Sequence, residues 1–197
     1  MKKRIIGIAG YMGAGKSQTA QLLAGKDDVV INADKEAKAL MNSSQEIRYR
    51  LRTHFGSDVI MHSGIDFARL GDRVFIDKSS LLKLNRIVHP ALIRELSVLL
   101  NNSAAAMTTL DAALLPLWSM DDAFDHLIWV DASHNCRFER LSRKAVLPRD
   151  QLEKRMHLQE EILSPPQQPG WHFFTNTTND KIQLADNVAQ LRSRLSL

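Results

Sequence analysis

Short apolar runs bounded by turn residues alternate with stretches in which apolar side chains recur every three or four positions, the signature of strands alternating with helices. Arg4 to Ala9 is β-branched and apolar with no polar alternation, as expected of a strand buried on both faces of a parallel sheet. A glycine-rich turn follows. From Lys16, the positions Ala20, Leu22 and Leu23 predict a helix packing back on that strand, and Gly25 is placed to end it. Val29 to Asn32 is the next strand, after which Asp34 opens a helical run with Ala37, Leu40 and Met41 on one side. Residues 44 to 100 are mostly helical in pattern, with turns at Phe55-Gly56-Ser57 and His62-Ser63-Gly64. Within them Leu81, Leu82, Leu84, Ile87 and Val88 form an apolar face. Pro90 has no amide hydrogen, which predicts a break after His89 and a fresh helix from Pro90 to about Leu100.

Strands return at Met107 to Ala112 and Leu127 to Val130, each followed or closed by a carboxylate, Asp111 and Asp131. Asn135 to Lys144 and Asp150 to Gln159 read as helices separated by Val146-Leu147-Pro148, and Arg137, Arg140, Arg143, Lys144 and Arg149 give them a basic cluster suited to a lid. Residues 164 to 170 read as an irregular loop, Phe173 and Phe174 as a last short strand, and Asp180 onward as a C-terminal amphipathic helix. The order predicts the α/β class: a doubly wound parallel sheet of about five strands flanked by helices, with ligands at the carboxyl ends of the strands, and the Gly-x-x-x-x-Gly-Lys-Ser turn from Gly10 to Ser17 after the first strand makes it the P-loop nucleotide-hydrolase type. A single domain over 1–197 is expected. Residues 1–43 and 101–136 supply its nucleotide-binding core, 44–100 a helical acceptor-binding insert, 137–165 the lid, and 166–197 a C-terminal strand and helix of the core.

Composition narrows the partners. There are 26 Lys and Arg against 22 Asp and Glu, a formal charge of +4, so the overall field favours anionic ligands. The basic residues are not gathered into one run with interleaved aromatics, which argues against nucleic acid and for phosphorylated small molecules. Cys136 is the only cysteine, so no intrachain disulfide can form and a reducing, cytoplasmic setting is expected. The basic residues before Ile5 imitate a leader, but Gly7 interrupts the apolar run, which leads straight into the glycine turn. No membrane span is expected, since even Ala104 to Met120 is broken by Asp111 and Pro116. No protein partner is evident. The seven histidines include no pair at helical metal-ligand spacing, Cys136 has no cysteine partner, and no G-x-S-x-G elbow occurs, so zinc and serine hydrolase chemistry is set aside.

The chemistry concentrates in Gly10-Tyr11-Met12-Gly13-Ala14-Gly15-Lys16-Ser17, a glycine, four residues and then Gly-Lys-Ser, with a strand before and a helix after. Glycines let the backbone fold around phosphate with its N–H groups inward, the helix end adds positive potential, and Lys16 reaches the β and γ phosphates. Ser17 can bind magnesium through its hydroxyl. The predicted ATP-binding set is Gly10, Met12, Gly13, Ala14, Gly15, Lys16, Ser17 and Gln18. Asp34, just past the second strand, is either the base that takes the proton of an attacking hydroxyl or a helix N-cap. Asp111 is either a carboxylate holding a magnesium-bound water or a turn residue.

Together with Asn32-Ala33-Asp34, the helical insert and the basic segment, these motifs resemble dephospho-CoA kinase. The likeness includes His54-Phe55-Gly56, Gly64-Ile65-Asp66 leading to Leu70 and Val74-Phe75, and Leu84-Asn85-Arg86-Ile87-Val88-His89-Pro90. It continues through Ala113-Leu114-Leu115, Val130-Asp131, Arg140, Lys144 and Gln159. The resemblance implies ATP- and magnesium-dependent phosphorylation of the ribose 3′-hydroxyl of dephospho-CoA, the last step of coenzyme A synthesis. It also implies Asp34 as base, Arg140 as lid arginine, Asn176 in the adenine-facing loop, and His89 and Leu114 in the acceptor site. Asn32 stands where the family often has aspartate, Ala113 replaces its proline, Leu117 stands near a common glutamate, and Trp171 near an expected aspartate. These departures keep two other readings open: a kinase for another small acceptor such as a nucleoside or nucleotide, and a non-catalytic nucleotide-binding protein.

Overall fold

Seven strands and eight α-helices form among residues 3–144 and 147–197, the part of the chain that a computed structural model describes. Val146, in the predicted connection between the two basic helices, lies outside the described residues. In chain order the elements are β1 (Arg4–Ala9), α1 (Lys16–Leu23), β2 (Val29–Asn32), α2 (Ala33–Ser43), α3 (Gln45–Phe55), β3 (Ile60–Met61), β4 (Gly64–Ile65), α4 (Phe67–Val74) and α5 (Lys78–Asn102). They continue with β5 (Met107–Asp111), β6 (His126–Asp131), α6 (His134–Ser142), α7 (Arg149–Ile162), β7 (Trp171–Thr175) and α8 (Lys181–Arg194). Two compact units result, Met1–Asn32 with Leu100–Leu197, and Ala33–Leu99.

The first unit holds a five-stranded, all-parallel sheet in the order β2-β5-β1-β6-β7. Parallel pairing demands crossovers and cover on both faces, which is why β5 is buried at every position and β1 becomes wholly buried from Ile6 onward. One face packs Ile6, Ile8, Ile128, Val130 and Phe174 against Leu23 of α1 and Leu184, Val188 and Leu191 of α8. Register sets Ile8 beside Asp111, and Asp111 beside Asn32, so the strands' carboxyl ends bring those polar residues level with the end of β1.

The second unit is built from helices and one antiparallel hairpin, Ile60–Met61 against Gly64–Ile65, at the predicted His62-Ser63-Gly64 turn. Gly56, at φ 97°, ends α3 where the sequence placed a turn. The Asn42 side chain accepts from the Ile65 amide at 2.9 Å, and Arg73 donates to the Phe55 carbonyl and, at 2.7 Å, to Asp58. The expected break at Pro90 is absent: α5 runs unbroken through it. A proline inside a helix costs about 3 kcal/mol. Leu81, Ile87, Val88, Leu92, Leu96 and Leu100 are all buried on both sides of it, and each buried side chain of this size contributes about 1.5–3 kcal/mol, so packing outweighs the missing bond. Among the described residues no helix is long and apolar enough to cross a membrane.

Candidate active site

The loop between β1 and α1 takes its shape from close backbone approach. Gly10 and Gly15 have φ of 142° and 100°, and a Cβ at either would collide, with the Val130 carbonyl oxygen at Gly10 and the Asn176 amide at Gly15. Gly13, at φ 78°, packs against the backbone of α6, where a Cβ would stand 2.8 Å from the Arg137 carbonyl oxygen. The Ala14 amide donates to the Tyr11 carbonyl at 3.2 Å, and Lys16 Nζ donates to the same oxygen at 3.1 Å. Lys16 through Gln18 open α1, whose first turn carries no acidic residue of its own, and the positive end of the helix stands beside Gly15. Ser17 and Gln18 are exposed.

Asp111 ends β5 and is nearly wholly buried. Its Oδ2 accepts from Ser17 Oγ at 2.5 Å and from Asn32 Nδ2 at 2.8 Å. The hydroxyl and the carboxylate that the sequence set beside a metal, the first directly and the second through a bound water, therefore meet at one point.

Arg140 and Asn176 form the other wall. Asn176 follows β7, is 1% exposed, and donates its side-chain amide to the Ala14 carbonyl at 2.9 Å. The Arg140 guanidinium donates to the carbonyls of Gly13 and Ala14, both at 3.2 Å, of Asn176 at 3.0 Å and of Thr178 at 2.8 Å. It reaches Asn179 Oδ1 at 2.8 Å as well. Burial lowers the pKa of this arginine below its usual value. A cavity of about 310 Å³ opens here, lined among others by Gly15, Gln18, Arg140, Lys144, Asn179 and Lys181. Its size falls at the lower end of small-molecule sites, and its cations suit an anionic ligand.

A supporting layer lies beneath the loop, in which the sequence had named Arg137 only within a basic cluster and Gln159 only through the family likeness, and Tyr11, Trp129 and Glu160 in no such role. The Tyr11 ring meets Trp129 edge-on at 5.2 Å, its hydroxyl donates to the Leu163 carbonyl at 3.1 Å, and the Arg137 guanidinium lies 4.7 Å over its face. Burial, followed by the Glu160 charge, raises the Tyr11 pKa. Arg137 bonds the Ala132 carbonyl at 3.1 Å and Glu160 at 2.5 Å, and its Nη1 is buried without a hydrogen-bond partner among the described residues. Burial pushes the Glu160 carboxyl upward, but hydrogen bonds from Arg137 and His134 outweigh it and hold the pKa below the ordinary value. Gln159 accepts from the Met12 amide at 2.7 Å. The available signal was a helix with arginines at 137 and 140, spaced so that both lie on one side, but a basic run of this kind does not say which arginine turns inward.

Leu114 lies just beyond β5, partly buried, where its carbonyl accepts from the Leu117 amide at 2.9 Å. Asp34 and His89 belong to the other unit. Asp34 sits within the first turn of α2, which begins at Ala33, so the carboxylate is inside the turn and not at the flanking cap. His89 is partly buried in α5, and desolvation pushes its imidazole down to about 4, leaving it neutral near pH 7.

Known proteins share this architecture. The family model described as dephospho-CoA kinase matches residues 4–163. A dephospho-CoA kinase of Thermobifida fusca is 31% identical over 156 residues, covering 78% of each chain. A solved Thermus thermophilus protein superimposes with a TM-score of 0.69 at 25% identity, over 100% of this chain and 98% of that one. The dephospho-CoA kinase from Campylobacter jejuni gives 0.61 at 17% identity, over 99% and 98%, a likeness of fold. On the match of the family model over residues 4–163, with a relative 31% identical over 78% of the chain, the chain belongs to the dephospho-CoA kinase family.

Proposed function

We infer that this chain transfers the γ-phosphoryl group of ATP to the ribose 3′-hydroxyl of dephospho-CoA, releasing coenzyme A and ADP. Family membership over residues 4–163 carries the reading. The glycine loop pressed against Val130 and Asn176, with Lys16 at its end, supports the ATP half of it.

In this mechanism the amides of Gly13 to Ser17 and the Lys16 ammonium bind the β and γ phosphates, and Gly10, Met12 and Gln18 complete the nucleotide contacts. Asn176 orients the base end of the nucleotide. Arg140 stiffens the loop through its carbonyl contacts and brings positive charge to the cavity wall, where charge develops on the transferring group. Asp34 accepts the proton as the 3′-oxygen forms its bond to phosphorus and the bond to the β-phosphate oxygen breaks. His89, neutral, and Leu114 shape the acceptor site. The division into acceptor-binding insert, 44–100, and lid, 137–165, follows the same reading, the lid closing over both substrates to exclude water.

Magnesium fits the donor set: a hydroxyl and a carboxylate, both hard oxygens, converge at Ser17 and Asp111. When bound, the ion neutralises charge on the β and γ oxygens. A chain with one cysteine and small phosphorylated substrates suits the cytoplasm.

The test is ADP release with and without dephospho-CoA, in magnesium, beside a panel of nucleosides and nucleotides. Release that needs dephospho-CoA and disappears in Lys16→Ala is expected. Release with a nucleoside alone would move the acceptor assignment elsewhere, in keeping with Asn32 and Ala113. Tight ATP binding with no turnover on any acceptor would leave a binding protein.

A further inference from the structure

Away from the phosphate cavity, α6 and α7 bring together two histidines and two glutamates that the sequence could not pair. The spacing of histidines alone gave no metal signal, but Glu153 and His157 stand one helical turn apart on α7, and His134 opens α6 opposite them. One ligand atom from each of His134, Glu153 and His157 lies within 4.8 Å of the others. The His134 Nε2 to Glu153 Oε1 separation is 3.2 Å. Bonds of about 2.0–2.1 Å in a tetrahedral zinc site set neighbouring ligand atoms about 3.3 Å apart, so this edge already has the needed length. His157 and Glu153, with side chains 60% and 43% exposed, have room to rotate and close the rest.

The outer arrangement points the same way. His134 uses its other nitrogen, Nδ1, against Glu160 Oε1 at 3.2 Å, and Glu160 is anchored by Arg137 at 2.5 Å. A carboxylate on the second ring nitrogen fixes the tautomer and turns the free lone pair outward, which is how metal-binding histidines are commonly supported. The His134 and His157 rings lie 5.4 Å apart at 27°. His157 Nδ1 stands 3.6 Å from Glu160 Oε2, a contact that rotation of this exposed ring would exchange for the metal.

We propose that His134, Glu153 and His157 form a site for one zinc-class divalent transition metal, with Glu160 as the carboxylate that orients His134 and an open fourth position for water. Two imidazoles and one carboxylate suit zinc or cobalt and not magnesium, which prefers oxygen ligands. The metal would clamp α6 to α7. Through Glu160 and Arg137 it would also bear on Tyr11 of the phosphate loop.

The experiment titrates metal-free, tag-free protein with zinc by calorimetry and with cobalt by visible absorption, in millimolar magnesium without nucleotide. One zinc per chain is expected, undisplaced by magnesium, with a cobalt spectrum of four-coordinate type. Affinity should fall at least 100-fold in His134→Ala and in Glu153→Gln, and 10- to 100-fold in Glu160→Gln. His157→Ala changes an exposed side chain, so its fold is secure and its loss of affinity is the cleanest reading. His126→Ala serves as control, because His126 and His172 make a separate ring pair at 5.6 Å. Binding that survives His157→Ala and Glu153→Gln, that disappears in His126→Ala, or that magnesium displaces overturns the proposal, as does the lack of saturable binding.

Discussion

Replacing Arg140 with alanine removes the cation that joins the phosphate loop to the segment after β7. Its guanidinium donates to the carbonyls of Gly13, Ala14, Asn176 and Thr178. Ala14 keeps the Asn176 amide, so three carbonyls, those of Gly13, Asn176 and Thr178, lose this charged donor without that substitute. A bond from a charged donor contributes about 1.5–3 kcal/mol when dry, but water reaches this partly exposed wall, so about 1 kcal/mol each is the appropriate scale. The predicted loss is about 3 kcal/mol. For a chain of this size that lowers Tm by about 6–12 °C. Lysine should recover no more than about 1 kcal/mol of it, because a single ammonium cannot span carbonyls that a planar fork reaches together. Urea unfolding without nucleotide measures the first quantity, and the ATP KM, expected to rise about tenfold from the loosened loop, is the second readout. Wild-type stability in Arg140→Ala would refute the reasoning. So would a collapse of kcat with stability and the ATP KM unchanged, which would leave the carbonyl contacts without energetic weight.

Two other outcomes follow from single side chains. Asp34→Asn should lower kcat by 10²- to 10⁴-fold, a barrier rise of about 3–5 kcal/mol, with the KM for ATP near wild type; steady-state kinetics decide it, and unchanged turnover would leave Asp34 only its place in the first turn of α2. His89, held at about 4 in the folded chain against an ordinary 6.5, costs nothing above pH 6.5, where both states are neutral. Below that the unfolded chain takes a proton the folded chain refuses, so stability should fall by about 1.4 kcal/mol per pH unit until pH 4, about 3 kcal/mol in all. Unfolding free energies at pH 7 and 5, compared with those of His89→Leu, measure that slope, and an equal slope in the variant removes the assignment.

The sheet was legible because strands buried on both faces cannot hide: Ile5-Ile6-Gly7-Ile8-Ala9 and Leu127-Ile128-Trp129-Val130 have few polar side chains to place elsewhere. The phosphate loop was legible because its glycines answer to local steric demands, visible here at Gly10 and Gly15. Pro90 misled, since a local rule met a long buried face that continues past it to Leu100. Arg137, read only as one of a basic cluster, and Glu160 escaped for the opposite reason. Their importance comes from burial against Tyr11 and from each other, and a charged helix gives no sign of which residue turns inward. The cluster of His134, Glu153 and His157 needed two helices brought side by side, a relation no spacing within one helix encodes.

The most direct test of the phosphoryl-transfer account follows the γ-phosphoryl of labelled ATP into product with dephospho-CoA present. The label should appear on the ribose 3′-oxygen of coenzyme A, one per ADP released. Label recovered only as inorganic phosphate, or at any other position of the acceptor, would contradict it.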